Sequence, residues 1–198
     1  RYLNDLPYNN EPRGATLRSF RGVVQHGSAH CLEAALSAAV ILEQHGYPPL
    51  VLSFESIDHL DHVLFVYRTA TGWGSVARSR DPGLHGRKPV FTTPRNLALS
   101  YVDPYVDFTG RITAYEVVDL AAMGDYDWRL SPRNVWKVER WLIDYPHQKV
   151  RMREGRYRKW HARYLRYIER YRHKPVYYED KARWLWPPRP VPIEGSSS

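Results

Sequence analysis

One cysteine stands in the 198-residue chain. Cys31 lies within "HGSAHCLEAALSAAVILEQHGYPP", residues 26–49. A thiol becomes a useful nucleophile when its thiolate is stabilised, by the positive end of a helix and by an imidazolium neighbour. Cys31 has the first feature if a helix begins there, and the second requires a histidine delivered by the fold. His62 opens the stretch "DHVLFVYR" and can project from a strand end. A third group should hold the imidazole in the productive tautomer. If a hairpin turns at Ala70–Thr71, counting back pairs Arg68 with Trp73 and His62 with Ser79. Asp81 is then the nearest carboxylate to His62, and Asp103 in "YVDPYVD" is a competing orienter. Gln25, six residues before Cys31, is a candidate oxyanion donor together with the Cys31 backbone N–H. His26, His30 and His59 are rivals to His62. His30 ranks second, because adjacent residues on a helix point in different directions.

These residues need a helix and a hairpin to bring them together. The pattern predicts a helix after Ser28, capped by Ser28 or His30, with Glu33 in its first turn and Gly46 ending it before Pro48–Pro49. Leu32, Ala35, Leu36, Ala39 and Val40 form an apolar stripe, widened by Ile41 and Leu42, so the helix should be buried. "PLVLSFES" reads as a strand. "DHVLFVYR" and "WGSVARS" read as a hairpin across "TATG". "TTPRNLALSYV" suggests a short helix started by Thr93 and Pro94, and "GRITAYEVVDL" one further strand. The first twenty residues read as an extended arm. Helix, then strands, then more helix predicts an α+β fold, with the cysteine helix packed on an antiparallel sheet.

A cysteine opening a buried helix, a histidine opening a strand and an Asp after a Gly-Trp hairpin, in that order, resembles the transglutaminase-like superfamily. "GSAHCLEAALSAAVILEQHGYPP" is similar to its cysteine-helix segment, and "DHVLFVYRTATGWGSV" to its histidine strand and hairpin. The spacing of Gln25 and Cys31 also resembles papain. The likeness covers about residues 20–82. It implies a papain-like α+β core and acyl transfer at an amide. Cys31 would be nucleophile, His62 acid/base and Asp81 orienter, acting as a cysteine peptidase or amidase through a thioester, with transamidation as the variant. The family's Asp usually follows the hairpin tryptophan closely. Here Trp73 is followed by "GSVARSRDPG", so Asp81 comes late, and Ser79 or a backbone carbonyl is an alternative third member.

The plain alternative is that Cys31 is a packed small hydrophobe. The rest of the chain supplies a different functional class. The formal net charge of +8 is uneven, because residues 129–189 carry +12 and the remainder −4. "GRYRKWHARYLRYIERYR" puts Tyr157, Trp160, Tyr164, Leu165, Ile168 and Tyr171 on one helical face and basic residues on the other. "SPRNVWKVERWLID" before it is also helical in pattern. The expected division is therefore a core over residues 1–127 and a basic, aromatic helical extension with a Pro-rich tail over 128–198. The alternative function is a catalytically silent module that contacts nucleic acid or an acidic protein through residues 156–172. No apolar run approaches the length of a membrane span, the mean hydropathy is −0.58, and no leader is visible, so a cytoplasmic protein without membrane contact is expected. Neither His26, His30 and Cys31 nor His59, Asp61 and His62 has convincing metal-ligand spacing, and "GLHGRKP" lacks Walker spacing. No metal or cofactor is expected.

Overall fold

The apolar runs at residues 50–56 and 62–69 become the two central strands of an antiparallel sheet. The structure, a computed structural model, describes residues 2–58 and 61–171. His59, Arg172 and the Pro-rich end lie outside the described residues. The strands are β1 (Leu50–Ser56), β2 (His62–Thr69), β3 (Gly72–Val76), β4 (Arg87–Phe91), β5 (Ile112–Asp119) and β6 (Gln148–Lys149). They lie in the order β4-β3-β2-β1-β5-β6, with every neighbouring pair antiparallel.

Side chains alternate between the two faces of a strand, and here each face meets its own core. Val51, Val63, Phe65 and Val118 pack with helix α3 (Cys31–Glu43). Leu52, Phe54, Leu64 and Val66 pack with Leu97, Ala98 and Tyr101 of helix α4 (Pro94–Val102). Burial on both faces explains why these strands read as continuous apolar runs. A short helix, α1 (Tyr2–Asp5), lies in the segment expected to be an extended arm, and a second, α2 (Phe20–His26), starts where that segment ends. Ser19 caps α2 through the Gly22 N–H, and Tyr8 forms a parallel bridge with Ala29.

The hairpin follows the predicted register, with Arg68 opposite Trp73, but the ladder ends at Phe65 and Val76. His62 therefore pairs with Phe54 of β1 and not with Ser79. Gly72 closes the turn at φ +140°, where a Cβ would stand 2.7 Å from the Phe91 carbonyl oxygen, so only glycine fits. Strand β4 carries Lys88 and Pro89, which disguise it in the sequence and suit an edge strand.

Helices α5 (Trp136–Asp144) and α6 (Glu154–Tyr171) complete the described chain. The division expected after residue 127 runs through a core. Trp128, Val135, Val138 and Leu142 share the cluster of α3, and Val135 N–H donates to Leu17 O over 2.7 Å. Helix α6 buries Trp160 and Tyr164 and is tied to the end of α4 by Arg156, whose Nε and Nη2 reach Asp103 at 2.9 and 2.5 Å. Among the described residues no helix is long and apolar enough to cross a membrane.

Arg87 is fully buried, which is unusual for a guanidinium. It donates to His85 O at 2.6 Å and Gly83 O at 2.8 Å, and stacks 4.0 Å from the Tyr101 ring centre. These contacts fix the 3-10 turn Pro82–Leu84 against the sheet. Arg87→Met should lower the unfolding free energy in urea by about 3 kcal/mol, since two charge-assisted hydrogen bonds are lost. An unchanged urea midpoint would show that Arg87 does not hold the turn.

Candidate active site

Helix α3 starts at Cys31 because the residue before it is a cap. His30 is extended (φ −86°, ψ −177°), its Nδ1 accepts the Leu32 N–H at 3.2 Å, and Glu33 returns a bond to the His30 N–H at 3.1 Å. This reciprocal box satisfies helix donors that otherwise have no partner, worth about 1 kcal/mol. Of the two caps considered, His30 fills the position and Ser28 does not.

Glu33 is fully buried, and its two oxygens receive four donors. These are the N–H groups of Arg18 (2.9 Å) and His30 and the side chains of Thr16 (2.9 Å) and Asn9 (3.1 Å). Burial works to raise the Glu33 pKa. The charge of His30 and the hydrogen bonds outweigh it and hold the carboxyl below its usual value. The imidazole of His30 is fixed at its other end as well. Its Nε2 donates to Thr16 O at 2.9 Å, because a carbonyl can only accept.

Cys31 is partly exposed on the wall of a cavity of about 890 Å³ that His30, His62, Ser79, Asp81 and Leu84 also line. Burial works to raise the thiol pKa. Hydrogen bonds from His30 and His62, with the charges of both, overcome this and bring it well below the ordinary value. For His30, burial lowers the pKa, while the bond to Cys31 and the charges of Cys31 and Glu33 raise it to about 9. The role of Nδ1 therefore depends on the charge of the ring. Nδ1 can accept from Leu32 only when the imidazole is neutral; protonated, it can only donate, and the thiolate is the neighbour that favours that form.

His62 is 4% exposed, and its Nε2 donates to the backbone oxygen of Leu84 at 3.1 Å. That bond fixes the tautomer and leaves Nδ1 for the thiol. The ring lies parallel to Phe54, 6.4 Å away, and tilted against Tyr101. The orienting group given by the hydrogen bonds is thus a backbone carbonyl. Asp81 lines the cavity, and its own carbonyl accepts the Leu84 N–H at 2.9 Å, closing the turn that presents the Leu84 oxygen. The Ser79 hydroxyl accepts the Asp81 N–H at 3.1 Å and its carbonyl receives His85 Nε2 at 3.0 Å, so Ser79 also serves this turn. Asp103 is taken up by Arg156 and is not among the cavity residues.

Gln25 is exposed on α2 and lines a different cavity, so the structure does not bring it to the thiol. Tyr8 occupies that neighbourhood. Its phenolic oxygen accepts the Cys31 N–H, and burial, together with the thiolate's charge, pushes its pKa up to about 12, against the pull of Arg80. It stays a hydroxyl at neutral pH. Three elements of the site were not identified from the sequence: Tyr8, the Leu84 carbonyl and Arg87. A capping-box spacing, His30 to Glu33, was the visible trace of a fourth, the pairing of His30 with Cys31.

The histidine next to the thiol gives a direct check. The NMR titration of the His30 imidazole should have its midpoint near 9. In Cys31→Ser the loss of the thiolate should move that midpoint down toward about 6.5. A midpoint unchanged by the substitution would mean that the thiolate and His30 are not paired. No protein-family model matches the chain and no curated protein matches it, so what this site does is read from its own chemistry.

Proposed function

We propose that the described chain is a papain-like core whose Cys31 performs thiol-dependent acyl transfer at an amide, most simply the hydrolysis of a peptide or isopeptide bond. The observation that supports this is the convergence of two imidazoles, His30 and His62, on one thiol at a helix N-terminus in a cavity wall. A packed structural cysteine needs none of these neighbours.

In this mechanism the Cys31 thiolate attacks the carbonyl carbon and the carbonyl oxygen takes up the negative charge. The Tyr8 hydroxyl, whose own oxygen accepts the Cys31 N–H, is the donor at hand for that oxygen. Protonated His62 gives its Nδ1 proton to the leaving nitrogen as the C–N bond breaks, leaving a thioester on Cys31. Neutral His62 then takes a proton from water, whose oxygen attacks the thioester and releases the acid and the thiol. An amine in place of water gives transamidation. His30 remains beside the sulfur as a fixed positive charge, and Leu84 O holds His62 through both steps.

An activated ester reports this chemistry without knowledge of the natural substrate. With p-nitrophenyl acetate, a nitrophenol burst of about one equivalent and an acetyl group on Cys31 are expected. His62→Ala should slow the burst by about 10²-fold or more. A burst that persists in Cys31→Ala contradicts the proposal.

One observation favours a second reading. Helix α6 turns its aromatic side inward, with Trp160 and Tyr164 buried, and leaves Arg158, Lys159, Arg163, Arg166 and Arg170 exposed. Such a face suits nucleic acid or an acidic protein, and it is compatible with catalysis elsewhere. Binding of single-stranded oligonucleotide that weakens steeply with salt, and is lost in Arg158→Glu/Arg163→Glu/Arg166→Glu, would support it. Salt-independent binding, or none, would count against it.

A further inference from the structure

One wall of the Cys31 cavity is built from acceptors. Glu55 and Ser56 end β1, Asp58 and Asp61 lie in the turn before β2, and Asp107 precedes β5; all five line the cavity. The Ser56 hydroxyl donates to Asp58 at 2.6 Å, and the Ser56 N–H donates to Asp61 at 3.1 Å. Tyr105 shares a hydrogen bond with Ser56, and its pKa is pushed up by burial and by the charges of Asp58, Asp61 and Asp107. Those three carboxylates therefore act on one small volume. Arg80 is the one lysine or arginine among the described residues of the cavity, and it lies 5.8 Å from the Tyr8 ring.

A patch of carboxylates is by itself an ordinary solvated surface. His147 makes this one different. Its side chain is only 2% exposed, yet it lines the same cavity. Nδ1 donates to the Tyr145 carbonyl at 2.6 Å and lies 3.1 Å from a Glu55 oxygen. Nδ1 therefore carries a proton, and whenever the ring is neutral it is Nε2 that presents a lone pair. Buried Nε2 has no hydrogen-bond partner among the described residues. A buried polar atom without a partner costs about 1–3 kcal/mol, so it marks a place where a ligand donor is favourable. Carboxylates and an imidazole lone pair demand the same ligand, one that donates hydrogen bonds and carries positive charge.

We infer that this wall is a substrate subsite for an ammonium or guanidinium group, placed so that the amide attacked by Cys31 belongs to a cationic molecule. The subsite deepens the proposed acyl transfer and rests on Cys31 being the reacting atom. It also gives a chain of net charge +8 a locally acidic cleft. Charge in such a cleft focuses field lines and raises the local concentration of the opposite charge.

The test uses the single thiol as a reporter in the intact chain. Cys31 is labelled with neutral iodoacetamide, and with two methanethiosulfonates of equal length, one ending in ammonium and one in sulfonate. The cationic reagent should outpace the anionic one by about tenfold or more. Glu55→Gln, whose side chain is 44% exposed, and Asp61→Asn, which keeps the acceptor for Ser56 N–H, should each cut that ratio several-fold. Neither should change the iodoacetamide rate. A ratio unmoved by both substitutions overturns the subsite, while slow iodoacetamide labelling indifferent to His62→Ala overturns the acyl-transfer reading instead. The source of the cation is separated by protection from iodoacetamide. Slowing by N-acetyl-arginine amide but not by putrescine assigns a peptide side chain, and slowing by both assigns any amine. Equal slowing by neutral N-acetyl-glutamine amide and the arginine amide also overturns the subsite.

Discussion

The buried carboxylate of Glu33 is the constraint on which the site depends. An ionised carboxyl out of water is stable only if its oxygens are satisfied, and losing partners exposes it to a cost of several kcal/mol. Glu33 draws its four donors from three places: the arm at Asn9, the following loop at Thr16 and Arg18, and the helix cap at His30. Satisfying one charge therefore draws the N-terminal segment against the start of α3. Tyr8 arrives over Cys31 in the same movement, held by the bridge to Ala29. His30 is positioned from both ends, by Glu33 at its backbone and Thr16 O at its ring.

The second half of the site comes from the sheet. β2 starts at His62, opposite Phe54 near the end of β1, where its ring packs beside Phe54 and Tyr101 and still interacts with Cys31. What fixes its tautomer is a backbone oxygen, presented by a 3-10 turn that the buried Arg87 clamps from behind. A carbonyl orients an imidazole without adding the negative charge of a carboxylate. The positive charge needed beside the sulfur is supplied by His30, which Glu33 supports. In the proposed mechanism the two imidazoles divide the roles, one held for proton transfer and one for electrostatic support.

Local patterns in the sequence carried much of this layout. The cysteine helix, the strand pair with its Arg68–Trp73 register, the Thr93-capped helix and the strand at residues 112–119 are set by periodicity, turn residues and capping, which operate over a few residues. The remainder depends on contacts between distant segments. Leu84 acts through its carbonyl, a group every residue possesses, so nothing in its side-chain type announces it. Tyr8 matters because of where the arm lies, and Arg87 because a charged residue is buried where an edge strand would suggest solvent. Gln25 had the right spacing but sits on a short helix ended by Gly27, which leaves it facing another cavity. The wall combines Glu55, Ser56, Asp58, Asp61, Asp107 and His147, a grouping created only by the packing of β1, β2 and the segment after α5.

The most direct test of an activated thiol is the ultraviolet absorbance of its thiolate followed against pH, with Cys31→Ser subtracted to isolate the one sulfur. A midpoint well below the ordinary value of about 8.5 is expected, rising in His30→Gln and again in His62→Ala. A midpoint at or above 8.5, indifferent to both histidines, would mean that burial governs the sulfur and that Cys31 packs and does not react.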